Sequence, residues 1–367
     1  MRTLPLLNSP AAGCDCRRCP WYAGDDAADP AAVIAPLCSG SNSTCAYCGC
    51  ARAESSAPTG ACATCPVRCG SRTDITAWMA DLGGTLEFDD VAFDTTLPAG
   101  LPRFIPQLDG SRVTDWDSQL RWPAYGVGLR RVFSPATGTI YRRFVGADVH
   151  QVLDLRPGQL AVLVGYGEDP LVEAFWTRRR AQALVEQIAA GGWDLVLAPN
   201  YSIFGNWPRA QHLISMRMSL LIAAELADAG VPAVTNLYWY RLEDLRRWIT
   251  WIDDTGPAAI AINLQTVRDD ADWTSWALPG LHWLAENLPL ALPVIITGLS
   301  RPARIRLAIA LFGTRLHLVS QNPHQFALHG AVMTDRGRAD RHARPVDAFT
   351  ASVSYIASLL DRPGADT

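Results

Sequence analysis

The 367-residue chain contains no lysine, because all 32 of its basic side chains are arginine. Chemistry that proceeds through a Schiff base on a lysine amine is therefore excluded. No apolar run reaches the roughly 18 residues needed to cross a bilayer, and the first residues lack the apolar core of a signal peptide. We therefore expect a cytoplasmic protein with no membrane partner.

The chain also lacks a strong excess of charge of one sign. Its 36 acidic and 32 basic residues give a net charge of −4, which argues against a uniformly basic nucleic-acid-binding protein. Local clusters such as Arg178, Arg179 and Arg180 still offer contacts for phosphates. With 49% hydrophobic and 19% charged residues, the composition is typical of a globular protein with a large core.

Cysteine is absent after Cys69, although ten cysteines lie within the 56 residues that end there. They include the spacings C-x-C-x2-C, C-x2-C-x-C and C-x2-C-x3-C. Such short spacings let several thiolates converge on one ion or cluster, whereas disulfides between such close neighbours would be strained. The candidate metal ligands are Cys14, Cys16, Cys19, Cys38, Cys45, Cys48, Cys50, Cys62, Cys65 and Cys69.

The choice of metal depends on the residues around these thiols. The segment holds no histidine for a mixed zinc site, and proline follows both Cys19 and Cys65. Zinc favours paired C-x2-C knuckles, whereas iron–sulfur clusters accept tighter triplets and often have proline beside a ligand. The pattern favours iron–sulfur clusters of the 4Fe–4S type. Zinc is the alternative, and disulfides or free thiols are a third interpretation that a cytoplasmic setting disfavours.

Apolar runs typical of buried strands alternate with amphipathic helical stretches from about residue 120 onward. The strand candidates are LAVLVG (160–165), DLVLAP (194–199), PAVTNLY (232–238), AAIAINL (258–264), PVIITG (293–298) and LHLVS (316–320). Two more strands between residues 101 and 145 would complete an eight-stranded barrel. We therefore predict a TIM-barrel-like α/β domain, with a doubly wound open parallel sheet as the alternative. The predicted bounds are 1–72 for the metal-binding module, 73–340 for the barrel-like domain and 341–367 for a C-terminal tail or helix.

Each predicted strand is followed by polar residues at its C-terminal end, where parallel α/β folds bind ligands. Amide side chains at this position recognise hydrogen-bonding edges, such as those of a nucleobase, without adding charge. Loop solvation and helix capping would also explain part of the pattern. The candidate substrate-binding residues are Asn200, Ser202, Asn236, Asn263, Gln265, Ser300, Gln321 and Asn322.

Two acids follow the first of the six strand candidates. Asp169 lies in the predicted loop, and Glu173 follows four residues later, one helical turn on. A pair of carboxylates at one pocket suits general acid–base or nucleophilic catalysis, so we predict that Asp169 and Glu173 are catalytic. The alternative is that Asp169 caps a helix, which Glu173 supports.

Several stretches between residues 100 and 330, among them LPRFIPQLDG, GEDPLVEAFW and VPAVTNLYW, resemble an uncharacterised family of phage- and plasmid-borne domains. Asp169 and Glu173 match the acidic loop of that family, and Asn200 stands where it has an aspartate.

HLISMRMSLL and ITGLSRPARI are more distantly similar to the tRNA-guanine transglycosylase barrel, whose phage relatives insert deazaguanine bases into DNA. RLHLVSQ has no aspartate to match that family's nucleophile. The resemblance implies a mobile-element enzyme that modifies or exchanges a nucleobase, with nucleic acid or a nucleobase-type small molecule as its partner. A non-catalytic protein that binds nucleic acid or another partner is the alternative.

Protein purified without oxygen should contain iron and acid-labile sulfide and should absorb visible light, because thiolates spaced this closely suit iron–sulfur clusters. Metal analysis, a sulfide assay and the visible spectrum measure these properties. A colourless protein with stoichiometric zinc would establish zinc sites instead. A protein without either metal would contradict both interpretations.

Overall fold

The computed structural model describes residues 80–203 and 209–361. All ten cysteines, and with them the predicted metal-binding module at 1–72, lie outside these residues. The chain divides into two compact units. The smaller unit comprises Met1–Asp90, Ser202–Met218 and Tyr238–Trp248, and the larger comprises Val91–Tyr201, Ser219–Leu237 and Ile249–Thr367.

The larger unit contains a nine-stranded parallel sheet and two short antiparallel hairpins. In chain order the strands are β1 (Phe104–Leu108), β2 (Ala124–Gly128), β3 (Phe133–Ser134), β4 (Thr139–Ile140), β5 (Leu160–Val164), β6 (Leu195–Leu197), β7 (Ala233–Val234), β8 (Asn236–Leu237), β9 (Ile260–Asn263), β10 (Val294–Thr297), β11 (Leu316–Ser320), β12 (Ala331–Thr334) and β13 (Gly337–Asp340). β3 pairs with β4 and β12 pairs with β13. The order in the large sheet is β7-β6-β5-β2-β1-β11-β10-β9-β8.

The large sheet is nearly closed into a barrel. Its two ends are β7 and β8, which only Thr235 separates in the chain. β7 pairs with β6 and β8 pairs with β9, so these two short strands act as the halves of one interrupted strand. Counted in that way, eight parallel strands follow one another around the barrel in chain order, which is the arrangement of a TIM barrel.

The predicted TIM-barrel-like α/β fold is confirmed at this level. β1 pairs in parallel with β11, Phe104 lying opposite Leu318. An open sheet would leave two separate edge strands, so the doubly wound alternative is wrong. All six predicted strands are present, and β1 and β2 are the two that the sequence required between residues 101 and 145.

Helices connect the strands. They are α1 (Val149–Val152), α2 (Asp169–Arg178), α3 (Leu184–Ala190), α4 (Arg209–Asp228), α5 (Leu242–Thr255), α6 (Asp270–Asp272), α7 (Leu278–Asn287), α8 (Pro302–Phe312), α9 (Asn322–Ala327) and α10 (Pro345–Asp361), with a π-helical turn (Trp273–Ala277) between α6 and α7. Proline begins α8, where its fixed φ favours the first turn, and Gly313 ends the helix with a φ of 58°. Among the described helices, none is long and apolar enough to cross a membrane.

The described part of the smaller unit is organised around Arg217, a side chain in α4 that is completely buried. Its guanidinium group donates to both carboxylate oxygens of Asp90, at 2.6 and 2.7 Å, and to the carbonyl oxygens of Leu82 and Glu87. These bonds hold the pKa of Asp90 below its usual value. A buried arginine is tolerated here because its donors are paired.

Replacing Gly298 by alanine should destabilise the barrel more than the same change at Gly230. Both glycines have a φ of +85°, but a Cβ atom at Gly298 would lie 2.3 Å from the backbone nitrogen of Gln265, whereas Gly230 has nothing within 4 Å. We expect a loss of about 3 kcal/mol in the free energy of unfolding for Gly298→Ala and about 1 kcal/mol for Gly230→Ala, because only the first adds a clash to the left-handed strain. Denaturant unfolding measures both values, and equal losses would contradict the close approach of the two loops.

Candidate functional site

The barrel interior is filled by alternate residues of its strands. One buried apolar cluster includes Ile105 in β1, Val162 and Val164 in β5, Val234 in β7, Ala261 in β9, Ile295 in β10 and Val319 in β11. Strands that are not neighbours in the sheet contribute to this cluster, so it lies inside the barrel. Because successive side chains of a strand point to opposite faces, the residue two positions further along faces the interior again.

The last interior layer, at the C-terminal ends of the strands, is polar but uncharged. It consists of Gln107, Tyr166, Asn236, Asn263 and Thr297, each of which comes two residues after a member of the apolar cluster. All five side chains are buried. We call this end of the barrel the mouth and these five residues the polar layer. The C-terminal end of the strands is where barrel enzymes place their active sites.

Hydrogen bonds fix one side of the polar layer. The Asn263 amide nitrogen donates to Asn200 Oδ1 at 3.1 Å. Asn263 Oδ1 in turn accepts from Thr297 Oγ1 at 3.1 Å and from the backbone nitrogen of Gln265 at 2.9 Å. The structure thus brings together three of the predicted substrate-binding residues, Asn200, Asn263 and Gln265. Because Gly298 has no side chain, the backbone at Gln265 lies close against the end of β10.

Gln107 and Tyr166 form the other side of the layer. The Tyr166 hydroxyl donates to Gln107 Oε1 at 2.7 Å, and burial raises the pKa of Tyr166, so the phenol keeps its proton. β2 makes room for the glutamine with two glycines, since a Cβ atom at Gly128 would lie 2.9 Å from Gln107 Nε2 and one at Gly126 would meet the Gln107 Cβ. Gln107, Tyr166 and Thr297 were not predicted from the sequence, although each comes two residues after an inward-facing apolar residue.

Two buried amide atoms in this part of the barrel have no hydrogen-bond partner among the described residues. Asn236 donates its amide nitrogen to the Ala198 carbonyl, but its Oδ1 accepts nothing. Asn322, the first residue of α9, has an unpaired Nδ2. An unpaired buried polar atom costs about 1–3 kcal/mol, so each atom is a ready acceptor or donor for a bound group.

An acid–imidazole pair that was not predicted from the sequence lies at the mouth. Asp109 directly follows β1, and His324 lies in α9 after the neighbouring strand β11, with 3.6 Å between His324 Nε2 and Asp109 Oδ1. His324 is almost completely buried against the edge of Trp116, whereas the Asp109 side chain is 33% exposed. Neither ring nitrogen of His324 makes a hydrogen bond within the described residues.

The protonation states of this pair follow from their surroundings. Burial lowers the pKa of His324 despite the attraction of Asp109, so the imidazole is neutral. Burial opposes ionisation of Asp109, but hydrogen bonds from Ser111 and the nearby charge of Arg131 hold its pKa below the usual value. An ionised carboxylate beside a neutral imidazole is a pair that accepts a proton.

The remaining predicted residues lie outside the polar layer. Asp169 is the first residue of α2 and Glu173 lies one turn further along the same helix, both half-buried. Ser300 is exposed after β10, and Gln321 lies half-buried at the start of α9. Ser202 belongs to the smaller unit. The described residues contain no group of three or more His, Cys, Asp or Glu side chains that could hold a metal ion.

Comparisons with known proteins leave the chain without a family. No family model matches it, and no curated protein matches it. Structural similarity extends to 157 solved chains, one of which is titled "Native KDPGal structure". That chain is 13% identical, the match covers 73% of this chain and 96% of the other, and the TM-score is 0.37. A similarity this distant carries no argument about function.

The free energy of unfolding should fall as the pH drops from 7 toward 5. Burial lowers the pKa of both His317 and His324, so below about pH 6.5 the unfolded chain binds protons that the folded protein does not. A variant with His317→Asn and His324→Asn should have a flatter pH dependence in denaturant unfolding, whereas exposed His329→Asn should keep the wild-type slope. An unchanged slope in the double variant would contradict this assignment.

Proposed function

We propose that the barrel mouth binds a planar, uncharged, hydrogen-bonding ring of the nucleobase class, and that the protein is an enzyme that modifies or exchanges such a base. The observation that carries the proposal is the polar layer, in which five buried side chains supply donors and acceptors without a single charge. An uncharged layer favours an uncharged ligand, because a buried charge without a partner costs several kcal/mol.

The chemistry of amides supports this class of ligand. A nucleobase edge presents donors and acceptors side by side, and an asparagine or glutamine side chain presents the complementary pair. Asn236 Oδ1 and Asn322 Nδ2 are an acceptor and a donor that lack partners within the described residues. A base that bonded to them would remove the cost of leaving them unpaired.

The acids at the mouth support a catalytic role. Asp109 with neutral His324 suits the acceptance of a proton from a bound ring, which is the step that modification of a heterocycle requires of a general base. Asp169 and Glu173, which follow β5, remain the acids predicted from the sequence. We propose them as the second acid–base group of the same mouth.

We propose a metal cofactor on the evidence of the sequence alone. Ten closely spaced cysteines favour iron–sulfur clusters, with zinc as the alternative, and these residues lie outside the described part of the chain. The proposed base chemistry uses side chains of the barrel alone, so it does not depend on which metal the cysteines bind.

Mass spectrometry of small molecules that co-purify with the protein tests the proposed ligand. A nucleobase or nucleoside should accompany the wild type, and Asn263→Ala should weaken its binding about tenfold or more, because the change removes the partner of both Asn200 and Thr297. Asn287→Ala is the matched control, since this exposed amide bonds only to the Trp283 carbonyl of its own helix. Calorimetric titration with the identified compound measures the affinities.

Failure of any free base or nucleoside to bind, or equal binding by the two variants, would contradict the proposed ligand. Asp169→Asn and Asp109→Asn separate an enzyme from a binding protein. If the protein is an enzyme, these changes should abolish formation of a modified base while the affinity for the ligand persists, because each removes a charge with little change in volume. Binding without any modified base in wild-type samples would favour a non-catalytic binding protein.

A further inference from the structure

Two pairs of consecutive arginines flank a short hairpin beside the mouth. Arg130 and Arg131 end a 3-10 turn before β3, and Arg142 and Arg143 begin another after β4. β3 and β4 pair antiparallel, with Phe133 opposite Ile140, so the two arginine pairs lie together at the base of the hairpin. We call the segment 129–144 the arginine hairpin.

Apolar residues between the arginines anchor the hairpin. Leu129, Val132, Phe133, Ile140 and Phe144 are all buried, and the Phe133 ring meets Phe175 edge-on at 5.4 Å. The four arginine side chains between them are exposed. The sequence therefore builds a firmly packed base with its cationic groups on the solvent side.

Most of this positive charge is not neutralised by the described residues. Arg130 pairs with Glu168. Arg143 donates to the carbonyl oxygens of Gly110 and Arg131, which use two of its N–H groups and do not neutralise its charge. Arg131 and Arg142 have no carboxylate within 4.0 Å among the described residues.

A fifth arginine adds to the patch. The aliphatic part of Arg178 lies over the hairpin turn, since a Cβ atom at Gly138 would be 2.8 Å from Arg178 Cγ. The Arg178 side chain is exposed and has no ion pair within the described chain. The patch thus concentrates positive charge on a protein whose net charge is −4.

The position of the hairpin relates it to the proposed site. Its first turn, Leu129–Arg131, directly follows β2, and Arg143 bonds to Gly110, the residue after Asp109. Arg131 is close enough to Asp109 to help lower the pKa of that carboxyl group. An anion held by the hairpin would therefore lie at the rim of the mouth, next to Asp109.

We propose that the arginine hairpin binds the phosphate backbone of a nucleic-acid strand at the rim of the barrel. This inference extends the proposed function. It rests on that function because we expect one base of the strand to enter the mouth. A strand suits the patch better than a single phosphate group, because one phosphate carries at most two charges, whereas three arginines of the hairpin and Arg178 have no carboxylate partner within the described residues. Arginine binds phosphate oxygens in a bidentate manner, and the exposed heads of Arg131 and Arg142 remain free to do so.

The test measures binding of labelled single-stranded DNA and RNA oligonucleotides to the full chain over a range of salt concentrations. A double variant with Arg131→Gln and Arg142→Gln should bind at least tenfold more weakly at low salt. Its plot of log affinity against log salt should be less steep by about 1.4, since each lost phosphate contact on a single strand contributes about 0.7.

The matched control is a double variant with Arg306→Gln and Arg344→Gln. These arginines are also exposed and their replacement changes the net charge equally, but each already pairs with a carboxylate, Asp335 and Asp347 respectively. The control should bind like the wild type. Circular dichroism and the thermal midpoint should be unchanged in both variants, because exposed arginine heads contribute little to stability.

Equal loss in the two double variants, or no loss in either, would overturn the assignment to the hairpin. Inorganic phosphate or a mononucleotide is then added at a concentration equal to that of the strand's phosphates. If either displaces the oligonucleotide at that concentration, the hairpin binds a free phosphate group, and the proposal of a nucleic-acid strand is contradicted. Binding of the free base, measured in parallel, separates this inference from the proposed function. A wild-type protein that binds the free base but no strand contradicts the hairpin alone, and a wild-type protein that binds the strand but no free base contradicts the base site alone.

Discussion

The pairing of β1 with β11 is the constraint on which the rest of the structure depends. A parallel sheet that returns to its first strand presents all its C-terminal ends at one rim, so residues from distant parts of the chain become neighbours there. Asp109 follows the first strand and His324 follows the last, and only this pairing brings them within 3.6 Å. The site is thus a consequence of closure rather than of any local motif.

Closure also explains why the polar layer is stable. The interior of an eight-stranded barrel is filled by side chains, so a polar residue that faces inward must find partners there. Asn263 does so by bonding to Asn200, Thr297 and the Gln265 backbone, and Tyr166 bonds to Gln107. Where the described residues leave Asn236 Oδ1 unpaired, the free protein bears a cost that a bound ligand can remove.

The sequence predicted the parts of this architecture that depend on local pattern. The six later barrel strands are apolar runs buried on both faces, which parallel strands require, and the amides after them were identified as rim residues. β1 and β2 were harder to place, because FIPQL contains a proline and AYGVG two glycines, residues that weaken a strand pattern. The glycines of β2 have a tertiary reason, since they accommodate Gln107.

Asp109 and His324 could not be paired from the sequence, because no spacing connects the ends of two strands that meet only when the barrel closes. The metal-binding segment is the opposite case, since its evidence is entirely local and lies outside the described residues.

The buried arginines of this chain and its exposed arginines have different roles. Because the chain has no lysine, the choice of arginine at a position indicates nothing about its role, whereas the surroundings of the side chain do indicate it. Buried Arg217 and Arg304 donate to carbonyl oxygens and to Asp90 and Asp270, as desolvated charges must. The arginines of the hairpin keep their heads exposed beside a mouth whose polar layer is uncharged. In the proposed function, charge that stays solvated at the rim would hold a polyanion without a desolvation penalty, and the uncharged layer below would discriminate between rings by hydrogen bonding.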